Sequence, residues 1–173
     1  MRPVITVTSI PCTSAAFAEL SAEILRAGKA LRFQARGSSM APLVRDGDVL
    51  LVRPAEPVSL RVGDVVLCGI GDNQPGRMVA HRVLERWDGP DGARFMVQGD
   101  QVARTDGVIP AARVYGRVVA IERAGAHIDM DRPVVRWLGR LAVLRSRRNL
   151  GRGRWLWPAR RLVKKLPGLS RYL

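Results

Sequence analysis

The sequence predicts a mainly β protein: a small curled antiparallel sheet or partial barrel, preceded by a helix and followed by a basic helical tail. Three observations lead there. Between residues 31 and 123 short apolar segments alternate with Gly, Pro and Asp turn signals. Before them, apolar residues fall at helical spacing. After them helical spacing returns, now among arginines. The chain thus divides into an N-terminal helical segment (1–30), a β domain (31–123) and a basic amphipathic tail (124–173).

The first helix is expected from about Ser14, with Thr13 as N-cap, Phe17, Leu20, Ile24 and Leu31 near one face, and Gly28 at its end. The strand candidates are "LRFQA", "DVLLVR", "DVVLCGI", "RMVAHRVLERW", "RFMVQG" and "RVYGRVVAIER", with "RDGD", "RPAEP", "GDNQPG" and "DGPDG" as the turns between them. The stretch "AGAHIDMD" reads as a loop. From Arg132, "PVVRWLGRLAVLRSRRNL" places Val134, Trp137, Leu138, Leu141 and Leu144 on one helical face. After "GRG", a second basic and apolar piece, "WLWPARRLVKKLPGLSRYL", closes the sequence.

Charge is distributed unevenly. Of 29 Lys and Arg residues in 173, 13 lie after residue 131 with no Asp or Glu among them, which leaves 16 basic against 15 acidic residues before it. The net charge of +14 therefore belongs to the tail. Such a tail suits an anionic membrane interface, its three tryptophans Trp137, Trp155 and Trp157 sitting below the headgroups. A competing reading docks Val134, Trp137 and Leu141 on the sheet. Nucleic acid is the weakest reading, because no binding motif accompanies the charge. No segment is long and apolar enough for a membrane span, and the N-terminus is short and polar for a secretory signal. A cytoplasmic or peripherally membrane-associated protein is expected.

Cys12, Cys68, His81 and His127 are too few and too scattered for a structural zinc site, and neither a metal nor a cofactor is implied. Cys68, inside "VVLCGI", reads as a small core residue.

The chemistry concentrates on a few polar side chains. "GSSMAPLVRDGDV" (37–49) puts Ser39 on a turn ahead of a strand, where consecutive N–H groups of Ser38, Ser39 and Met40 can converge on a developing oxyanion. A serine nucleophile needs a base. Lysine occurs only at 29, 164 and 165, outside the β body, so a Ser–Lys dyad within that body is excluded. His81, on the same strand face as Val79 and Val83, is either a core-edge histidine or a general base. Asp100 and Asp106 in "VQGDQVARTDGV" are either turn residues or the acceptor that orients such a base. His127 is an alternative base.

In this order and spacing, "GSSMAPLVRDGDVLLV", "GDVV", "AHRV", "VQGD", Asp106 and "VYGRVV" resemble the type I signal peptidase superfamily across roughly Phe33 to Ile121. The likeness is to its archaeal and endoplasmic-reticulum branch, in which histidine replaces the lysine base. The resemblance implies Ser39 as nucleophile, His81 as general base, Asp106 as its acid and Asp100 as the aspartate of the Gly-Asp block, with the Ser39 N–H in the oxyanion hole. Where the family often has a serine two residues before the nucleophile, this chain has Gly37; where members normally have a membrane-spanning helix, this sequence shows none. The function expected is a serine endopeptidase that cleaves signal or leader peptides, its partner an extended peptide or preprotein. The alternatives are a cytoplasmic precursor-processing protease and a non-catalytic peptide- or membrane-binding module on the same fold. A self-cleaving repressor is a weaker rival, since its usual lysine is absent and no helix-turn-helix pattern precedes the β body.

Overall fold

The computed structural model describes residues 4–7, 14–71 and 77–149. Helix α1 (Ser14–Arg26) is rich in Ala, Glu and Leu, all strong helix formers. It ends as expected beside Gly28, whose N–H donates to the Leu25 carbonyl. Its buried side is Ala18, Ser21, Ala22, Ile24 and Leu25; Ile24 is buried as expected, while Leu20 is exposed. The small residues let the helix lie close to the sheet, while Phe17 meets Phe33 edge-on with ring centroids 5.2 Å apart. The N-cap expected at Thr13 and the second basic piece after "GRG" lie outside the described residues.

Among the described residues nine strands form one sheet: β1 (Val4–Val7), β2 (Ala30–Gln34), β3 (Val49–Arg53), β4 (Val65–Ile70), β5 (Arg77–Gly89), β6 (Gly92–Gln98), β7 (Gly107–Pro110), β8 (Val114–Arg123) and β9 (Ala126–Asp129). The order is β1-β2-β3-β8-β4-β5-β6-β7, with β9 paired to β8. Only β1 and β2 run parallel; the other pairings are antiparallel. The sheet remains open, since its path ends at β1 and β7. The six strand segments read from the sequence are all strands. Three four-residue strands were not anticipated, and one of them, β9, occupies the "AHID" segment read as a loop and carries His127.

The path explains the apolar run of β4. This strand lies between β8 and β5, and its faces serve two different cores. Val65 and Leu67 pack with Leu31, Leu50, Val52, Val118 and Ile121 beneath α1. Val66 and Cys68 pack with Val79, Val83, Phe95, Val97 and Ile109. With both faces covered, apolar–polar alternation is lost. The next strand, β5, inherits this two-sided setting: His81 stands opposite Val66 and Arg82 opposite Val65. A register shift between Val83 and Glu85 then bends β5 along β6. Helix α2 (Pro133–Asn149) packs on β5, where Gly139 lies against Arg82; Val143 and Ser146 are buried on the same side, and Val135 packs against the core that holds Val65 and Val118. No helix among the described residues is long and apolar enough to cross a membrane.

Candidate active site

The turn after β2 places Ser39. Gln34 is the last residue of β2, and the chain then folds back to β3 through Gly37–Asp48. Several groups hold this excursion in place. The Gly37 N–H donates to Asp46 Oδ1 at 2.7 Å, and the Arg45 N–H to Asp48 Oδ2 at 2.7 Å. Asp48 is 4% exposed and accepts both arms of Arg123, at 2.8 and 2.6 Å, while Arg123 also donates to the Leu43 carbonyl. The Arg123 guanidinium holds the Asp48 carboxyl below its usual range against the opposing effect of burial. The "RDGD" hairpin is thus a clamp beneath the serine turn, and its partner arginine sits 75 residues away in β8.

His81 and Asp106 complete a chain with Ser39. Ser39 Oγ lies 3.0 Å from His81 Nε2, and His81 Nδ1 lies 2.5 Å from Asp106 Oδ2. A carboxylate only accepts, so the imidazole proton belongs on Nδ1 and Nε2 is left to accept from the serine hydroxyl. His81 is 3% exposed. The burial that the apolar face of β5 suggested and the polar partners of a base are therefore both present in one side chain. Asp106 is set by its own N–H, which donates to the Val97 carbonyl at 3.0 Å just before β7 begins.

The loop between β6 and β7 ties the pieces together. The Gln101 N–H donates to the Ser39 carbonyl at 2.9 Å, and Gln98 Nε2 donates to the Val102 carbonyl. Gly99 makes this contact possible: a Cβ there would lie 2.7 Å from the Ser39 carbonyl oxygen and 3.1 Å from His81 Nε2. Among the described residues no acceptor is bonded to the backbone N–H groups of Ser38, Ser39 or Met40. Unpaired donors beside a buried imidazole are what an oxyanion would need.

Asp100 is placed elsewhere. Both its oxygens are taken by Arg82, at 2.7 and 2.6 Å, and Arg82 also donates to the Gly63 carbonyl. This nearly buried pair sits behind His81 and joins β5, the β6–β7 loop and the turn before β4. Sequence reasoning passed over Arg82, Gly99 and Arg123. The Asp-Gly and Gly-Asp dipeptides signalled turns, but nothing in the sequence marked which arginine each aspartate would meet. His127 lies on β9 and lines a separate polar cleft of about 540 Å³ with Arg53, Glu56, Arg117 and Asp131. The serine in that cleft, Ser59, donates its hydroxyl to the Glu56 carbonyl. Cys68 is buried and free, and burial together with the Asp106 charge pushes its thiol far up, so it stays protonated.

A groove of about 440 Å³ opens beside Ser39. Its floor is Phe33, Met40, Val44, Leu50, Leu67 and Met78; Arg36 and Arg77 stand at its walls. Two backbone edges flank it. The pairing of β2 with β1 stops at Phe33, and β5 pairs with β6 only from Arg82 onward. Gln34–Arg36 and Arg77–His81 therefore each have one edge without a strand partner among the described residues.

A half-buried serine hydroxyl, a buried imidazole and a carboxylate thus form one hydrogen-bonded constellation on a β scaffold. The Peptidase S24-like family matches residues 10–119, a span containing every residue of that constellation. The chain belongs to this family and, through it, to the superfamily that also contains the signal peptidases. No curated protein and no solved structure matches the chain.

Proposed function

We propose that the protein is a serine endopeptidase of signal-peptidase type, of the branch that uses histidine as base, and that it cleaves extended signal or leader peptides. The observation that carries this reading is the Ser39–His81–Asp106 series, with contacts of 3.0 and 2.5 Å. Lysine supports it by absence: Lys29, the one lysine among the described residues, lies between α1 and β2, and none lines the groove beside Ser39.

His81 Nε2 takes the hydroxyl proton as Ser39 Oγ bonds to the scissile carbonyl carbon. The carbonyl oxygen becomes an oxyanion facing the unpaired N–H groups of the Ser39 turn. Asp106 keeps the imidazole in its productive tautomer and offsets the charge of the imidazolium. That imidazolium returns its proton to the amine as the C–N bond breaks, leaving an acyl-Ser39 ester. Water, deprotonated by His81, attacks the ester and releases the acid and free Ser39.

The substrate lies extended between the two open edges, at Gln34–Arg36 and Arg77–His81, as an added strand. Its side chains on one face enter the apolar groove. Arg36 and Arg77 have no ion-pair partner among the described residues, and they favour a peptide with a carboxylate near the cut.

Intact-mass analysis of candidate precursor peptides incubated with the wild type and with Ser39→Ala tests the reading. Cleavage by the wild type that disappears in Ser39→Ala is expected. Equal cleavage by both proteins would remove Ser39 from the mechanism, and no cleavage by either across a broad peptide set would favour a binding module.

A further inference from the structure

Helix α2 is apolar on two sides, and only one is used. Val135, Gly139, Val143 and Ser146 face the sheet; Val143 is 3% exposed. Gly139 sits so close that a Cβ would lie 3.0 Å from Arg82 Nη1 and 3.2 Å from the Gly63 carbonyl oxygen. The opposite side carries Val134, Trp137, Leu138, Leu141 and Leu144, with exposures of 59, 58, 50, 41 and 53%. At 3.6 residues per turn these five fall within an arc of about 120°, centred nearly opposite the docked face. Single exposed leucines are ordinary, but five large apolar side chains in one unbroken stripe signal a surface that is covered in use. The contacts of α2 with β5 already anchor the helix, so the stripe does not serve the fold.

Charge identifies what covers it. Arg140 stands at the edge of the stripe and Arg145 within its arc near the C-terminal end, neither with an ion-pair partner among the described residues. From Arg132 to the last residue there are 13 Lys and Arg and no Asp or Glu, including two further tryptophans at 155 and 157. The later residues would bring positive charge to a positive surface if they folded back on α2, and so would a second copy of this helix. Phosphates alone would leave the apolar stripe in water. An occupant that is apolar beneath and anionic at its surface meets both requirements: leucine and tryptophan enter below the headgroups while arginine meets phosphate.

We infer that α2 is a bilayer-docking helix that seats the protein on anionic membranes through Val134, Trp137, Leu138, Leu141 and Leu144. The inference is independent of the serine chemistry. Docked this way, the helix lies directly against Arg82 of β5, the residue after His81, so the open groove is held at a fixed attitude to the bilayer.

Co-sedimentation of the full chain with vesicles tests it, using phosphatidylcholine alone and phosphatidylcholine with about one-third phosphatidylglycerol. Wild type is expected to partition onto the anionic vesicles at least about tenfold more strongly than onto the neutral ones. Leu138→Glu/Leu141→Glu, both at exposed positions, is expected to weaken that binding by about tenfold with an unchanged circular dichroism spectrum. Arg140→Glu/Arg145→Glu gives the same answer should the first pair perturb the helix, and is expected to weaken anionic binding alone. Wild-type failure to bind anionic vesicles, or undiminished binding by both double variants, overturns the inference. Binding to duplex DNA that exceeds vesicle binding and falls with the same leucine pair also overturns it, reassigning the stripe to nucleic acid.

Discussion

Gly99→Ala adds a single methyl group and isolates the geometry of the serine turn. No left-handed backbone is required at this position, so the whole effect is steric. The new Cβ would start 2.7 Å from the Ser39 carbonyl oxygen, where ordinary contact begins at 3.4 Å. One of the two must therefore retreat by about 0.7 Å. The neighbours on the other side are Val102 Cγ2 at 3.0 Å and His81 Nε2 at 3.1 Å, so the methyl group cannot escape by moving away from Ser39. The Ser39 carbonyl gives way, its bond from Gln101 N–H lengthens, and the Ser39–His81 contact opens. A misplacement approaching 1 Å in such a pair costs about 100-fold in rate. Overpacking of this size costs about 1–3 kcal/mol in stability. Peptide cleavage by the variant, measured as kcat/KM beside a thermal melt, is therefore expected to fall about 100-fold in a protein that still melts cooperatively. A variant that cleaves within about twofold of wild type would refute the claim that this contact sets the serine.

Further outcomes follow from the same contacts. Asp106→Asn keeps the shape but offers an amide to His81 Nδ1; kcat is expected to fall about 10³- to 10⁴-fold at pH 7, and an unchanged rate would remove Asp106 from the series. Asp48 titrates below its usual range when folded, so its contribution to stability is complete above about pH 5 and is lost as pH falls through the folded value. Arg123→Ala should therefore cost about 2 kcal/mol near neutrality and flatten the acid limb of a pH–stability curve, which chemical denaturation across pH 3–7 measures. Arg36→Glu/Arg77→Glu is expected to shift cleavage from peptides with acidic residues near the cut toward basic ones, read in a competition between two peptide pools; an unaltered ratio would remove charge from substrate choice. Gly139→Val drives a side chain into the Arg82–Gly63 contact and should lift α2 from β5, seen as earlier hydrogen exchange of α2 amides than in wild type.

The sequence disclosed much of this molecule where the physics is local. Turn signals separated most of the longer strands, and the position of His81 on the face of Val79 and Val83 was readable from alternation alone. Short strands were not readable: β1, β7 and β9 have four residues each, too few to show a period. In α1 the period was readable and Ile24 is buried as expected, but Ala18, Ser21 and Ala22 rather than Leu20 complete the buried side with Leu25, because close approach to a sheet favours small side chains. At the site, Ser39, His81 and Asp106 were legible as candidates from residue type and order, whereas their supports were not. Arg82, Gly99 and Arg123 act through contacts across 18, 60 and 75 residues, which no local pattern encodes. Asp100 resembled Asp106 as a candidate until the fold put Arg82 in front of it.

The most direct test is covalent. A fluorophosphonate probe reacts with a serine only when a neighbouring base withdraws its proton. Incubated with the full chain and mapped by peptide mass spectrometry, it should leave one adduct, on Ser39, that is lost in Ser39→Ala and in His81→Ala. An adduct on another serine, or on Ser39 with equal yield after His81→Ala, would contradict the Ser39–His81 pair at the centre of this account.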